Sequence, residues 1–411
     1  MTNTTYRLGD VEISELIIYS ERGSTRLLNS LVSTSIYESI FTPGIVCDIK
    51  VIDMNDQLGQ LRLSGDELVY MELYVLGSER AKYNFALHKL SELENVGAQK
   101  GKMYTLQCVS EEAMFAKTNF VQKSYNQLCS EMIEDIHTNY LKSVKPIVVE
   151  PTRLPQRIVI PHKGPYEAIN LIKRRSVSAE QDASLYMFFE NRTNEQQTFN
   201  FVTMEKMFTG SPVKDFQMSD AININSLARA DDNIISFKIP NQFSSTDRIA
   251  HGGPRRVTTF NFTTWEFETR NVQTDDSAFN DGGTGTMNSS SFRNRYFNAN
   301  IPPQAMIPVD NSQRPETHIP EATPNLQAYM ASMMQNSIKI KVIGDTILTA
   351  GVTINCQLPN RQAFTGASAE DPLITGKFLI TRVHHRIAEA MDKPRYTCII
   401  EAIKGRYEET V

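Results

Sequence analysis

Apolar and polar residues alternate along SIKIKVIGDTILTAGVTINCQLPN, residues 337 to 360, stop at Gly344-Asp345, and then resume. Ile338, Ile340 and Val342 share one face of an extended chain with Lys339 and Lys341 on the other, and Val352, Ile354, Cys356 and Leu358 repeat the pattern after the break. The spacing predicts two half-buried strands joined by a Gly-containing turn. The same period of two runs through residues 8 to 110, in VEISELIIY, LNSLVSTSIY, GIVCDIKVID, LVYMELYVL, KYNFALHKLSEL and MYTLQCVS. Short strands separated by turn residues predict a small barrel or sandwich.

After residue 110 the period changes. SEEAMFAKTNFVQKSYNQLCSEMIEDIHTNYL, 110 to 141, opens on a Ser followed by acidic residues and carries Leu128, Met132, Ile133 and Ile136 at helical spacing, which predicts a helix. Residues 145 to 165 are punctuated by Pro146, Pro151, Pro155, Pro161 and Pro165 and read as extended chain. A helix, PYEAINLIKRR, follows with Pro165 in its first turn. Two strands, SLYMFFEN and QTFNFVTM, and a short helix, EKMF, complete an α+β insert ending near residue 215. Residues 224 to 272 read as helix, strand, helix and a long strand containing the only tryptophan, Trp265. Residues 273 to 322 are aperiodic and rich in Asn, Ser, Thr, Gly and Pro; TPNLQAYMASMMQN then reads as a capped helix with a Met stripe suited to a core or subunit interface.

The strand pattern near the two chain ends is similar in detail. LRLSGDELVYMEL, 61 to 73, has the layout of TILTAGVTINCQL, 346 to 358: an aliphatic run, a small hydroxyl residue, a glycine, then a strand. FALHKL matches FLITRV, and MYTLQC matches RYTCII. Order and approximate spacing are kept across the pairs Gly65 and Gly351, Phe85 and Phe378, and Tyr104 and Tyr396. A diverged duplication explains this, with one β-domain near each end and these six residues as equivalent barrel-core positions.

Composition narrows the class. A length of 411 residues gives room for two to four domains, and no apolar run approaches the length of a membrane helix. MTNTTYRLGDVEIS lacks the basic start and apolar core of a secretory signal. Cys47, Cys108, Cys129, Cys356 and Cys398 are odd in number and never spaced as CxxC, which argues against a disulfide framework or a zinc ribbon. The net charge of −5 includes no basic block of the kind that grips nucleic acid; the densest cationic cluster, IKRRS, sits where a helix C-terminus attracts positive charge.

No catalytic constellation emerges. His384 and His385 are adjacent in a strand-like run, so their imidazoles point to opposite faces and cannot share one metal. GGTGTMN lacks the Lys-Ser/Thr of a phosphate loop, and DDSAFNDGG lacks EF-hand spacing. Glu131 and Glu134 share a helix face but read as surface carboxylates. No catalytic, cofactor or metal residue is assigned.

In their order, YTLQCVSEEAM, VQKSY, IPHKGPYEAINLIKRR, SLYMFFENRTNEQQTFNFVTMEKMF and the closing KIKVIGDTILTAGVTINCQLP, GKFLITRVHHRI and YTCIIEAI resemble the central baseplate hub proteins of contractile-tailed bacteriophages, the T-even-type hub family. The resemblance covers nearly the full chain apart from residues 273 to 322. It implies a non-enzymatic homotrimer in the virion tail baseplate, assembled in the host cytoplasm. It also implies an α+β, mainly β fold with two similar tube-type barrels in each chain. Three chains then supply six modules, a quasi-six-fold face for the hexameric tail tube and a three-fold face for a trimeric spike or needle. DNA passes through the lumen in transit, there is no membrane insertion and no cofactor, and neighbouring wedge proteins and a tape measure protein are further expected partners.

The corresponding division is a first barrel at 1–125, a helical linker and α+β insert at 126–225, a discontinuous second barrel at 226–272 plus 337–411, and an irregular segment with a helix at 273–336. With no β-helical repeat after the last strand, the spike is expected on a separate chain. Alternatives are the hub of a contractile injection or type VI-like device, a tail-tip cell-wall hydrolase or protease, and a host-binding adhesin.

Overall fold

The computed structural model describes residues 11–54, 56–75, 80–96, 101–180, 185–193, 195–218, 232–240, 254–261, 265–273, 304–309, 337–358, 375–390 and 393–404. The expected helix at 323 to 336 and most of the aperiodic segment lie outside them. The fold is mainly β.

The first barrel uses β1 (Val11–Ser20), β2 (Gly23–Arg26), β3 (Leu31–Ser39), β4 (Val46–Asp53), β5 (Leu68–Val75), β6 (Ala81–Val96) and β7 (Gly101–Val109), with a short helix α1 (Gln57–Leu61) between β4 and β5. Alternation sets which face is inside: in β4, Cys47, Ile49 and Val51 are fully buried while Asp48 and Lys50 between them are partly exposed. The strands run in the order β3-β4-β7-β6-β5-β1-β2, each antiparallel to its neighbours.

The insert contains α2 (Glu111–Thr118), β8 (Val121–Gln127), α3 (Cys129–Asn139), β9 (Ile147–Val149), β10 (Gln156–Lys163), α4 (Pro165–Lys173), β11 (Tyr186–Thr193), β12 (Gln196–Thr203) and α5 (Met204–Thr209). Its core reaches back before the expected boundary at 126, since β8 pairs with β10. Where the sequence predicts one helix from 110 to 141, two helices flank a strand. VQKSYNQ pairs with β10, and its Val121 and Tyr125 are buried four residues apart on one strand face, an alternative that tertiary pairing selects over local helical spacing. α3 keeps the expected face, Met132, Ile133 and Ile136, and Glu131 reaches back to accept the Leu128 N–H at 3.2 Å.

The second barrel is built from β13 (Asp215–Gln217), β14 (Ile234–Lys238), β18 (Ser337–Ile343), β19 (Thr353–Gln357), β20 (Gly376–Ala390) and β21 (Lys393–Lys404), in the order β14-β18-β21-β20-β19-β13. The intervening β15 (Pro254–Asn261), β16 (Glu266–Gln273) and β17 (Gln304–Val309) form a separate three-stranded sheet. Four differences from the sequence reading follow. β18 and β19 are not a hairpin: β18 pairs with β14 and β21, β19 with β13 and β20, because Gly344 to Val352 crosses between sheet positions. Among the described residues of 226–272, β14 and the preceding Asn233 join the barrel sheet while β15 and β16 do not, and β13, inside the expected insert, joins it too. Trp265 is not in a strand but at the β15–β16 turn, with φ 59° and 78% exposed. Finally, the aperiodic segment contains β17, parallel to β15.

One continuous hydrophobic cluster runs through both barrels, from Val11 and Leu16 to Ile400 and Ala402. The insert has its own core, and a third cluster packs Phe189, Met204 and Met207 of the insert against Ala350, Leu379 and Ile403 of the second barrel.

Candidate functional site: the seam between the barrels and the free strand edges

The two barrels are copies at the level of individual ladders. The order β3-β4-β7-β6-β5 reappears as β14-β18-β21-β20-β19, antiparallel throughout. Irregularities recur at equivalent places: β6 bulges between Leu87 and Lys89 opposite β7, and β20 between Ile380 and Arg382 opposite β21. β3 bulges between Leu31 and Ser33, β14 between Ile234 and Ser236. Such extra residues re-aim a strand and are specific to a ladder, so two shared bulges are stronger signs of common ancestry than shared composition. The sixth position differs, since β1 is antiparallel to β5 whereas β13, arriving from the insert, is parallel to β19.

The six positions singled out in the sequence fall on this scaffold as follows. Gly65 and Gly351 both take positive φ, +102° and +89°, at the entry to β5 and β19. Only Gly351 is also crowded, since a Cβ there would lie 2.7 Å from the buried Phe189 ring. Phe85 and Phe378 are buried in the shared cluster at the same level of β6 and β20. Tyr104 and Tyr396 are buried too, but the ladders set Tyr104 opposite Val51 and Cys398 opposite the equivalent Val342, so Tyr396 stands one same-face step along from the Tyr104 level. Their hydroxyls have different partners, Asp53 at 2.8 Å for Tyr104 and His385 at 2.7 Å for Tyr396.

The barrels join edge to edge. Ser33–Ser39 of β3 pairs antiparallel with Arg382–Ala388 of β20, making one thirteen-stranded sheet of both copies. Across this seam His384 stacks on Tyr37 at 4.3 Å on the outer face. On the inner face lies a buried polar cluster. Glu38 accepts the Ala350 N–H at 3.1 Å and the Tyr83 hydroxyl at 3.5 Å, and stands 3.9 Å from His385 Nε2. Burial pushes the Glu38 carboxyl up to about 7, against the opposing pull of the Arg192 guanidinium. Burial drives His385 the other way, down to about 3, so the imidazole is neutral near pH 7.

A second buried cluster fastens the insert to the first barrel. Lys145 Nζ lies 2.7 Å from both Glu112 and Glu190. Glu190 also accepts from Gln197, from the Ser110 hydroxyl and from the Ile45 N–H. Ser110 is thus the residue before α2, as the sequence predicts, yet its hydroxyl serves the barrel junction rather than capping the helix. Burial works against the Lys145 ammonium, but the two carboxylates together hold it above its ordinary value.

His384 and His385 diverge to opposite faces, and Glu131 and Glu134 are both exposed. All five cysteines are buried and unpaired, and burial pushes Cys47, Cys356 and Cys398 each up to about 12. No group of three or more His, Cys, Asp or Glu side chains gathers in metal-binding fashion among the described residues. Among them, too, no helix is long and apolar enough to cross a membrane. Glu38, Glu190 and the pairing of the seam strands escape sequence reading. One signal was available in KYNFALHKLSEL: Leu87 and Leu90 are three apart, a phase slip that marks the bulge.

This fold is shared with phage tail proteins of known structure. The tail protein of Neisseria meningitidis MC58 superposes with a TM-score of 0.53 at 9% identity over 95% of this chain and 96% of its own. The 43 kDa tail protein of prophage MuSo2 from Shewanella oneidensis gives 0.53 at 10% identity, over 95% and 98%. A chain of the half-lidded Francisella PdpA–VgrG complex gives 0.51 at 11% identity, over 96% of this chain and 58% of that one. No protein-family model and no curated protein matches the sequence.

Proposed function

We propose that the chain is the structural hub of a contractile phage tail baseplate. Three copies form a ring of six barrel modules, which docks the hexameric tail tube on one face and a trimeric spike on the other around a channel for the genome. The observation that carries this reading is the β3–β20 seam, where two copies of one barrel already sit side by side in a continuous sheet. The first barrel, the insert, the second barrel with its long insertion, and the 273–336 segment act as its domains. The likeness to phage tail proteins over nearly their whole length supports a tail location. The role is assembly, not catalysis, and purified protein should release no product from peptidoglycan.

Light scattering on the purified protein, followed by averaged electron images down the particle axis, tests the reading. A trimer with a central hole and six lobes is the expected result; a compact monomer at every concentration would count against it. The Francisella similarity favours a second reading, the hub of a contractile injection or type VI-like device. Finding the chain in purified DNA-containing virions would decide for the first.

A further inference from the structure

Within the chain, one free edge repeats an edge that is occupied. The N-terminal part of β20 pairs with β19 and its remainder, Arg382–Ala388, pairs on that same side with β3. In the first barrel the N-terminal part of β6 pairs likewise with β5, through Ala86. Beyond Ala86, among the described residues, no strand pairs with β6 on that side, while β7 covers the other side as far as Val96. β14 has the mirror-image condition: it holds the place of β3 and pairs with β18, and although Asn233 just before it bridges to Gln217 of β13, among the described residues no strand pairs with Ile234–Lys238 on the side away from β18.

We propose that the outer edge of β6, from Lys89 to Val96, receives β14 of a second copy of this chain, repeating between chains the seam that β3 and β20 make within one. This rests on the trimeric reading above and names its contact. Burial at equivalent positions supports it: Val383 on β20 is 1% exposed beneath the seam, whereas Leu90, its counterpart on β6, is 44% exposed and Leu93 63%. On the opposing strand the bulged residue Ile235 is 49% exposed. Two apolar residues on one open edge and one on the other are what a strand interface would cover.

The seam also fixes the register. β3 sets Ser33 opposite Ala388 and Ser35 opposite Arg386. Ser236 and Lys238 occupy the places of Ser33 and Ser35, because Ser33 faces Lys50 as Ser236 faces Lys341, one residue past the shared bulge. Glu94 occupies the place of Arg386, since it pairs with Met103 where Arg386 pairs with Thr397. The predicted joint therefore puts Lys238 of one copy opposite Glu94 of the next, with Glu92 beside it, an opposite-charge cross-strand pair. Each chain offers one β6 edge and one β14 edge, so the contact is head-to-tail and closes into a ring after three chains if each joint repeats the internal one.

The buried native cysteines leave exposed positions free for cross-linking. Chains carrying E94C alone and K238C alone, with tags of different size, are co-expressed, purified and oxidised, and the same preparation is weighed by light scattering. The expected result is a disulfide between the two different chains and none within either variant alone, with the E94C/K238C double variant giving covalent species up to three chains. In wild-type protein, zero-length carbodiimide coupling should join Lys238 to Glu94 or Glu92 between chains. A trimeric preparation with neither cross-link overturns the edge assignment and leaves the trimer standing. A preparation that remains monomeric at every concentration overturns both.

Discussion

Phe85 and Phe378 show what a single side chain contributes in this fold. Each is at most 2% exposed, and each lies on the part of its strand that pairs with the glycine-entered neighbour, Phe85 opposite Val69 of β5 and Phe378 opposite Ile354 of β19. Truncation of either to Ala removes a ring from a core shared by both barrels and should cost about 3–5 kcal/mol, measured by urea unfolding. Similar losses from the two variants are expected; a negligible loss at one site would remove its claim to a core role. Gly351 illustrates a constraint invisible in the residue's own neighbourhood. Its positive φ follows from the local turn, but its intolerance of any Cβ comes from Phe189 in the insert, far away in sequence. Gly344 is similar, since a Cβ there would fall within the Tyr396 ring.

Elements are held to one another by buried polar groups at the junctions, and these make two predictions. Lys145 neutralises Glu112 and Glu190, whose side chains are 4% and 0% exposed. Lys145→Met leaves two buried carboxylates without their cation and should destabilise the chain by about 3–5 kcal/mol, again by urea unfolding. A neutral result would mean that the junction does not depend on the Lys145 cation. At the seam, Glu38 ionises near 7 in the folded chain but near 4.5 when unfolded. Between those values the folded state binds more protons, so the Glu38 contribution to stability is full below 4.5 and is lost as pH rises through 7. His385 acts oppositely: its folded value of about 3 lies under the unfolded 6.5, so its contribution grows from pH 3 to 6.5. Glu38→Gln keeps an acceptor for Ala350 and abolishes only the first effect. Thermal or urea unfolding should therefore find the variant gaining on the wild type between pH 5 and 8, by about 3 kcal/mol at most. A difference that is flat with pH would show that Glu38 is not the titrating group.

For the whole molecule, the equivalence of Leu90 and Val383 separates folding from assembly. Leu90→Asp changes a residue that is 44% exposed in the single chain and should leave its melting within about 0.5 kcal/mol of wild type, while light scattering shows loss of the trimer. Val383→Asp places a charge at a position that is 1% exposed and should prevent folding altogether. If both variants assemble normally, the seam is not the pattern for the ring. The long insertion between β14 and β18, which carries β15 to β17, replaces the short turn that joins β3 to β4 in the first copy. It therefore leaves the chain beside the strand assigned to the ring joint, and the first copy has no counterpart.

Strand period, the Pro165 helix start and the duplicated motifs lie in local order, and the chain alone determined them: β3 to β7, α4, β11, β12, α5, β18 and β20 follow from alternation, apolar runs, Pro165 and the 3.6 spacing. The matched Gly, Phe and Tyr pairs announced two barrels because side-chain parity along a strand survives divergence. Only tertiary structure decided which strands pair. VQKSYNQ became a strand because β10 lay beside it, and β18 and β19 separated because each had a better partner in the sheet. The seam itself joins residues about 350 positions apart, with hydrogen bonds from the backbone, which every sequence supplies alike. Its buried Glu38 carries no signal in the sequence and His385 stands out only as half of an adjacent pair, since burial of a polar side chain depends on partners that only the folded chain brings together.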